Sequence, residues 1–305
     1  MSSANVYTTA TLVTNIQLLA HVPIGNSTFT AAEVIKLADR ENQTSIMRQL
    51  LSIREGYYRT STDYDYDESG EYDVPPLAIA GALDSVAIVN GPTRISVNLI
   101  DPAEQVSTDY PSTSGYGYFI DGNTIKVKPA SFDGSLRISY MRRPSSLVAT
   151  SAAARISAIA SNVISVTSLP STITTGETVD ACQDQPNFEM LGSRVITGIA
   201  TTDITLATPV TGLAVGDWLA LQNQTPVPQI PVEFRTLLEQ RVVVKIYELQ
   251  GYLDKMKAAQ MKLTEIENDL FSLISPRTKS QTKIICPTNG GIFGGARRSG
   301  VYPTR

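Results

Sequence analysis

The stretch Ile159-Ala-Ser-Asn-Val-Ile164-Ser-Val166, followed by Ile173-Thr-Thr-Gly176-Glu-Thr-Val179-Asp-Ala181, decides the architecture, because it occurs twice. Forty residues on stand Ile199-Ala-Thr-Thr-Asp-Ile204-Thr-Leu206 and Leu213-Ala-Val-Gly216-Asp-Trp-Leu219-Ala-Leu221. The apolar positions, the glycine and the acid after it all keep the offset. Short β-branched runs with period-two alternation are strand signals. Two units are too few for a solenoid, which needs at least about three. A duplicated half related by a pseudo-two-fold axis instead predicts a small closed barrel or sandwich of about six to eight strands, because closure removes the edges each half would expose. The inserted domain is placed at 146–225.

Outward from the repeat, the flanks read as a second unit split in two, 29–145 and 226–276. Thr30-Ala-Ala-Glu33 is a capping box, with Phe29 and Val34 as its hydrophobic staple. Val34, Leu37, Ala38, Ile46, Leu50, Ile53 and Tyr57 then mark one face of a helix over 30–57, with a bend near 42–45. Short alternating runs at 86–89 and 94–99, a hairpin signal at Tyr116–Ile120, Asp121-Gly-Asn123 and Thr124–Lys128, and a strand at 136–140 make 77–150 β-rich. Pro226-Val-Pro-Gln-Ile-Pro231 is a stiff link back to helix. Leu238, Val242, Ile246 and Leu249 form an apolar stripe, and Leu249, Met256, Leu263 and Leu270, with Tyr252, Ala259, Ile266 and Leu273 three residues later, continue it in heptad phase. Gly251 interrupts: either it turns an antiparallel helical hairpin, which is favoured, or it is a flaw in one long helix. The predicted class is α+β: a helical bundle of the N-terminal helix and a C-terminal hairpin, an antiparallel β region, and the inserted duplicated barrel.

The ends differ from the body. Residues 1–28 are Thr/Asn-rich and read as an extended arm with one short turn near 16–20. The last 29 residues hold six basic side chains and no acid, whereas residues 1–276 hold 19 basic and 29 acidic ones. That tail, 277–305, is glycine-rich and reads either as a disordered end or as an arm ordered by a partner. Ile284, Ile285, Ile292, Phe293, Val301 and Tyr302 favour the arm, and all of these but Val301, with Lys283, Arg297 and Arg298, are the candidate partner contacts. An acidic body and a basic arm suit copies of one protein clasping each other.

The chemistry that is absent is informative. The 305 residues contain one histidine, His21, which excludes a histidine relay or multi-histidine metal site within one chain. Cys182 and Cys286 lack metal-ligand spacing, and two cysteines make no disulfide framework, so a reducing compartment is the simpler expectation. Asp63, Asp65 and Asp67 resemble the start of a calcium loop, but Glu68 stands where that loop needs glycine and Val74 where it needs glutamate. The segment reads better as a polar β-hairpin turning at Ser69-Gly70. No phosphate-cradling loop, nucleophile elbow or dinucleotide fingerprint occurs. No cofactor or metal is therefore expected, nor an enzyme. A secretory signal and a membrane span are likewise not expected.

The order of these soft motifs resembles head-to-tail connector (adaptor) proteins of tailed bacteriophages over roughly 29–277. The resemblance rests on Phe29-Thr-Ala-Ala-Glu-Val-Ile35, Gly117-Tyr-Phe-Ile-Asp-Gly-Asn-Thr-Ile-Lys-Val-Lys-Pro129 and Leu136-Arg-Ile-Ser-Tyr-Met-Arg-Arg-Pro-Ser-Ser-Leu-Val148. Gly212-Leu-Ala-Val-Gly-Asp-Trp-Leu-Ala-Leu221, Pro228-Gln-Ile-Pro-Val-Glu-Phe234 and Ser275-Pro-Arg277 complete it. It implies a virion structural protein at the head–tail junction, made in the host cytoplasm. Copies would form a ring with the portal's twelve-fold symmetry and continue the DNA channel, passing the genome without specific binding. The implied partners are other copies of the chain, the portal protein and a downstream tail or neck protein. Leu238, Val242, Ile246, Leu249, Met256, Leu263, Ile266 and Leu270 would pack subunits side by side. The competing readings are another tail or baseplate component and, less well supported by the single tryptophan Trp218, a carbohydrate-binding module.

Overall fold

The computed structural model describes residues 7–22, 29–54, 56–100, 115–183 and 190–274. The chain is mixed α+β, with helices at both ends of the described sequence and two β systems between them.

The N-terminal region corrects the expected extended arm. Helix α1 (Thr9–Leu19) buries Leu12, Val13 and Ile16, residues spaced one helical turn apart. Threonine-rich sequences have weak helix propensity, but burial of one face overrides it. His21 follows in a positive-φ turn and is exposed.

Helix α2 (Ala31–Glu41) opens as predicted: the Thr30 side chain accepts from the Glu33 amide, and the Glu33 carboxylate accepts from the Thr30 amide. The staple residues Phe29 and Val34 are both buried in the helical core. The expected bend is a π-helical turn, Asn42–Ile46, after which α3 (Met47–Ile53) resumes regular geometry. The extra residue turns Asn42 fully inward, where neither side-chain polar atom has a partner among the described residues.

Helix α4 (Arg235–Gln250) is central: α1, α2 and α5 (Leu253–Ile274) all pack against it. Gly251 adopts the left-handed conformation (φ 73°) at the end of α4, and α5 returns along it, with the Gln240 amide donating to the Ala259 carbonyl. Leu237, Leu238, Val242 and Ile246 are fully buried there. A polar cluster tightens the contact. Arg241 bonds Glu267, which also accepts from Gln49 of α3 at 3.0 Å.

The first β system is a seven-stranded, mainly antiparallel sheet in the order β1-β7-β3-β4-β5-β6-β2. Its strands are β1 (Arg59–Tyr64), β2 (Glu71–Asp73), β3 (Ala78–Asn90), β4 (Thr93–Leu99), β5 (Gly117–Asp121), β6 (Thr124–Lys128) and β7 (Ser135–Arg142). The β5–β6 hairpin forms where Asp121-Gly-Asn123 placed it. The expected 63–73 hairpin does not: β1 pairs with β7 and β2 with β6, at opposite edges of the sheet. Asp67–Gly70 does turn the chain, but each strand finds its ladder elsewhere. The sheet curls until those edges approach, and Tyr64 donates to the Asp73 carbonyl at 3.0 Å. Tyr72, Val86, Ile88, Ile125, Leu136 and Ile138 fill the interior of the curl.

The second system is a closed six-stranded barrel of β9 (Ala154–Ala160), β10 (Val163–Val166), β11 (Thr178–Cys182), β12 (Met190–Ala200), β13 (Asp203–Leu206) and β14 (Trp218–Leu221). The ring order β10-β13-β12-β11-β14-β9 is unchanged when β9, β10 and β11 are exchanged with β12, β13 and β14, so the pseudo-dyad passes between β10/β13 and β11/β14. Loop hydrogen bonds repeat at the same offset. The Gly176 amide donates to Ile196, and the Gly216 amide to Ile156. Ser161 and Thr201 both take positive φ in matching turns.

Replacing Asn42 with leucine removes a buried amide that has no partner among the described residues and keeps the branching of the side chain. Asn42→Leu is expected to raise stability by about 1–2 kcal/mol, read as a higher urea midpoint at unchanged slope.

Candidate interaction surfaces and the barrel junction

Chain entry to and exit from the barrel lie side by side. Strands β8 (Ser146–Leu147) and β15 (Gln224–Thr225) pair in parallel and form a neck between barrel and body. The neck is bonded to three body elements. The Asp39 carboxylate of α2 accepts from the Leu147 amide at 2.8 Å, Gln43 donates to Ser146, and Thr9 of α1 donates to the Val148 and Pro226 carbonyls. Burial nonetheless leaves the Asp39 carboxyl above its ordinary pKa.

One charged pair crosses the neck. Asp180 of β11 is fully buried and accepts from the Ser193 hydroxyl at 2.6 Å and the Asn223 amide at 2.8 Å. Arg142 of β7 lies 3.8 Å from its second oxygen and also donates to Ser145. Burial pushes the Asp180 carboxyl up, against these donors and the guanidinium, and pushes Arg142 down. Beside them Cys182 is buried, its thiol pushed up to about 12 by burial. Such a thiol carries almost no thiolate at neutral pH and is chemically quiet.

The structure separates the residues that the sequence grouped as subunit-packing. Leu238, Val242 and Ile246 are a correction: all three are spent inside this chain's own core, because α1, α2 and α5 cover α4, and none has surface for a second copy. Leu270 is buried there too, and Met256, Leu263 and Ile266 are half-buried against the same core. Leu249 stands apart at the hairpin tip, 65% exposed beside Tyr252 (51%) and Leu253 (64%). The arm residues Lys283, Ile284, Ile285, Ile292, Phe293, Arg297, Arg298 and Tyr302 lie outside the described residues.

Sequence reading missed the other face of α5. There Met261 is 70% and Phe271 43% exposed. Charge on this helix is unevenly placed, with Asp254, Lys255, Lys257 and Lys262 in the first half and Glu265, Glu267 and Asp269 in the second. Heptad phase identified the inward stripe but gave no reason to look at positions outside it.

A second missed feature is an open pocket of about 420 Å³ at the mouth of the curled sheet, lined by Tyr66, Tyr116, Ser131, Phe132, Asp133 and Gly134. Its only sequence signal was the alternation of tyrosine and aspartate over 63–67. Among the described residues no cluster of histidine, cysteine, aspartate or glutamate is arranged to hold a metal ion, and no helix is long and apolar enough to cross a membrane.

No protein-family model matches the chain, and no curated protein is significantly similar to it.

Three outcomes follow from the junction. Arg142→Met strands a buried carboxylate and is expected to cost about 3 kcal/mol, whereas combining it with Asp180→Asn costs less than the two single changes summed. Because the native Asp180 pKa is raised, the stability it confers is full below the ordinary aspartate value of 3.8 and lost as pH rises through the native value. Asp180→Asn removes that decline from the pH–stability curve, measured by urea titration across the acidic range. Alkylation at pH 8 followed by peptide mass analysis is expected to leave Cys182 unmodified in the native chain and modified in urea.

Proposed function

We propose that this chain is a structural subunit of a tailed-bacteriophage particle. Copies close into a ring, expected to be dodecameric, that joins the portal to the tail and continues the DNA channel. The finer fold reading belongs with this proposal: α1, α2–α3 and the α4–α5 hairpin act as one bundle, and the barrel is a module carried on it.

The observation that carries the reading is the outer face of α5. A 22-residue helix that buries only one stripe and exposes Met261 and Phe271 is suited to lie against a neighbour that covers them. A heterologous contact that closes on rotation makes a ring without any special residue. The motif order that resembles connector proteins supports the same conclusion from the sequence side. In this reading the work is mechanical: the neck fixes the barrel to the ring, and the acidic balance of residues 1–276 keeps DNA phosphates from adhering to the channel.

Native mass measurement of the full chain, with gold labelling of an epitope on the barrel in purified particles, tests this. A ring-sized species and label at the head–tail junction are expected. Label at the baseplate would transfer the chain to the tail, and absence from particles would end the reading. Met261→Glu is expected to change the melting temperature of the subunit by no more than a few degrees, because the site is exposed, while abolishing the ring-sized species.

A further inference from the structure

The pocket at the mouth of the curled sheet has the chemistry of a receptor for a cationic side chain. Phe132 is its buried floor. The rings of Tyr66 and Tyr116 stand nearly at right angles to it, at interplanar angles of 80° and 82° and centroid distances of 5.1 and 6.2 Å. Aromatic faces attract guanidinium and ammonium groups through the ring quadrupole. The Asp133 carboxylate, on the rim, is exposed and has no cationic partner among the described residues. The strand leading to Tyr66 adds Asp65, and the turn after it Asp67 and Glu68, all exposed. The neighbouring cations are already committed: Arg137 is bidentate to Asp63, and Lys126 lies 3.3 and 3.0 Å from Glu71 and Asp121.

The site is preformed. A Cβ at Gly134 would stand 2.2 Å from the Val89 carbonyl oxygen, so the loop bearing Phe132 and Asp133 is seated directly on β3. A Cβ at Gly70 would stand 2.8 Å from that of Ala130, so the turn after Tyr66 is held against the same loop. The Tyr72 hydroxyl accepts from the Asp67 amide at 3.1 Å, which fixes the turn from inside. Rigid walls lower the entropic cost of binding.

We propose that this pocket takes an arginine or lysine of residues 277–305 from a second copy of the chain. Charge complementarity selects this occupant. The segment holds six basic residues and no acid, whereas residues 1–276 carry ten more acids than bases. Its Arg297-Arg298 pair is flanked by small residues, Gly294, Gly295, Ala296, Ser299 and Gly300, which let a guanidinium approach a walled site without steric hindrance. The interaction is independent of where the protein sits in a particle, since a ring could close through α5 alone.

The test is fluorescence anisotropy with a labelled synthetic peptide of residues 277–305 titrated into the full chain. Saturable binding is expected at 50 mM salt, weakened at least tenfold at 500 mM salt. Asp133→Lys and Tyr66→Ala are each expected to weaken it at least tenfold, and replacing both Arg297 and Arg298 of the peptide by glutamate to abolish it. Both pocket positions are exposed, so the variants should keep the wild-type melting temperature. Equal affinity for wild type and Asp133→Lys would overturn the proposal. So would no binding to a full chain carrying Arg297→Glu and Arg298→Glu, whose own segment no longer competes for the pocket.

Discussion

A chain that leaves one packed unit and returns to it must cross twice without stranding backbone polar groups or letting the two units drift. The parallel β8–β15 pair solves both problems at one place, because each crossing strand supplies the partners of the other. Asp180 completes it. Fully buried, it takes its hydrogen bonds from β12 and from the segment beyond β14, and its opposite charge from β7 of the body. An ion pair removed from water contributes little net stability, since desolvation offsets attraction. Its effect is on geometry: only one orientation of barrel and body keeps both charges compensated. The bonds from Asp39, Gln43 and Thr9 extend that constraint into α1 and α2.

The helical side has a corresponding centre. Helix α4 buries residues around most of its circumference, which is why its neighbours need bury only one stripe each. The cost falls on α5. Beyond its inner stripe against α4, it is left with an outer face on which Met261 and Phe271 are exposed. A monomer gains nothing from that arrangement. In the proposed ring, each exposed group has a surface to meet. Leu249, Tyr252 and Leu253 at the hairpin tip belong to the same outward-directed set.

The curled sheet supplies a different kind of surface. Its interior is apolar, but its mouth is ringed by tyrosines and carboxylates, with the basic residues nearby already paired. Two glycines without room for a side chain hold the loops of the mouth against the strands. The barrel, by contrast, is closed, and the twin hydrogen-bond sets of its halves leave no free edge.

Much of this was legible in the residues. The forty-residue offset carried the barrel and its symmetry, because duplicated strands must pair in a way that respects the duplication. Thr30 and Glu33 carried the start of α2, the Asp121-Gly-Asn123 turn carried the β5–β6 hairpin, and Gly251 carried the reversal between α4 and α5. These are local signals: caps, turns and periodicities act within a few residues. The partners of β1 and β2, the helix at 9–19, the inward assignment of Leu238, Val242 and Ile246, and the pocket around Phe132 were decided only in three dimensions. Each depends on which distant surface covers a given face, and covering energy, unlike a cap or a turn, is not written in the segment that receives it.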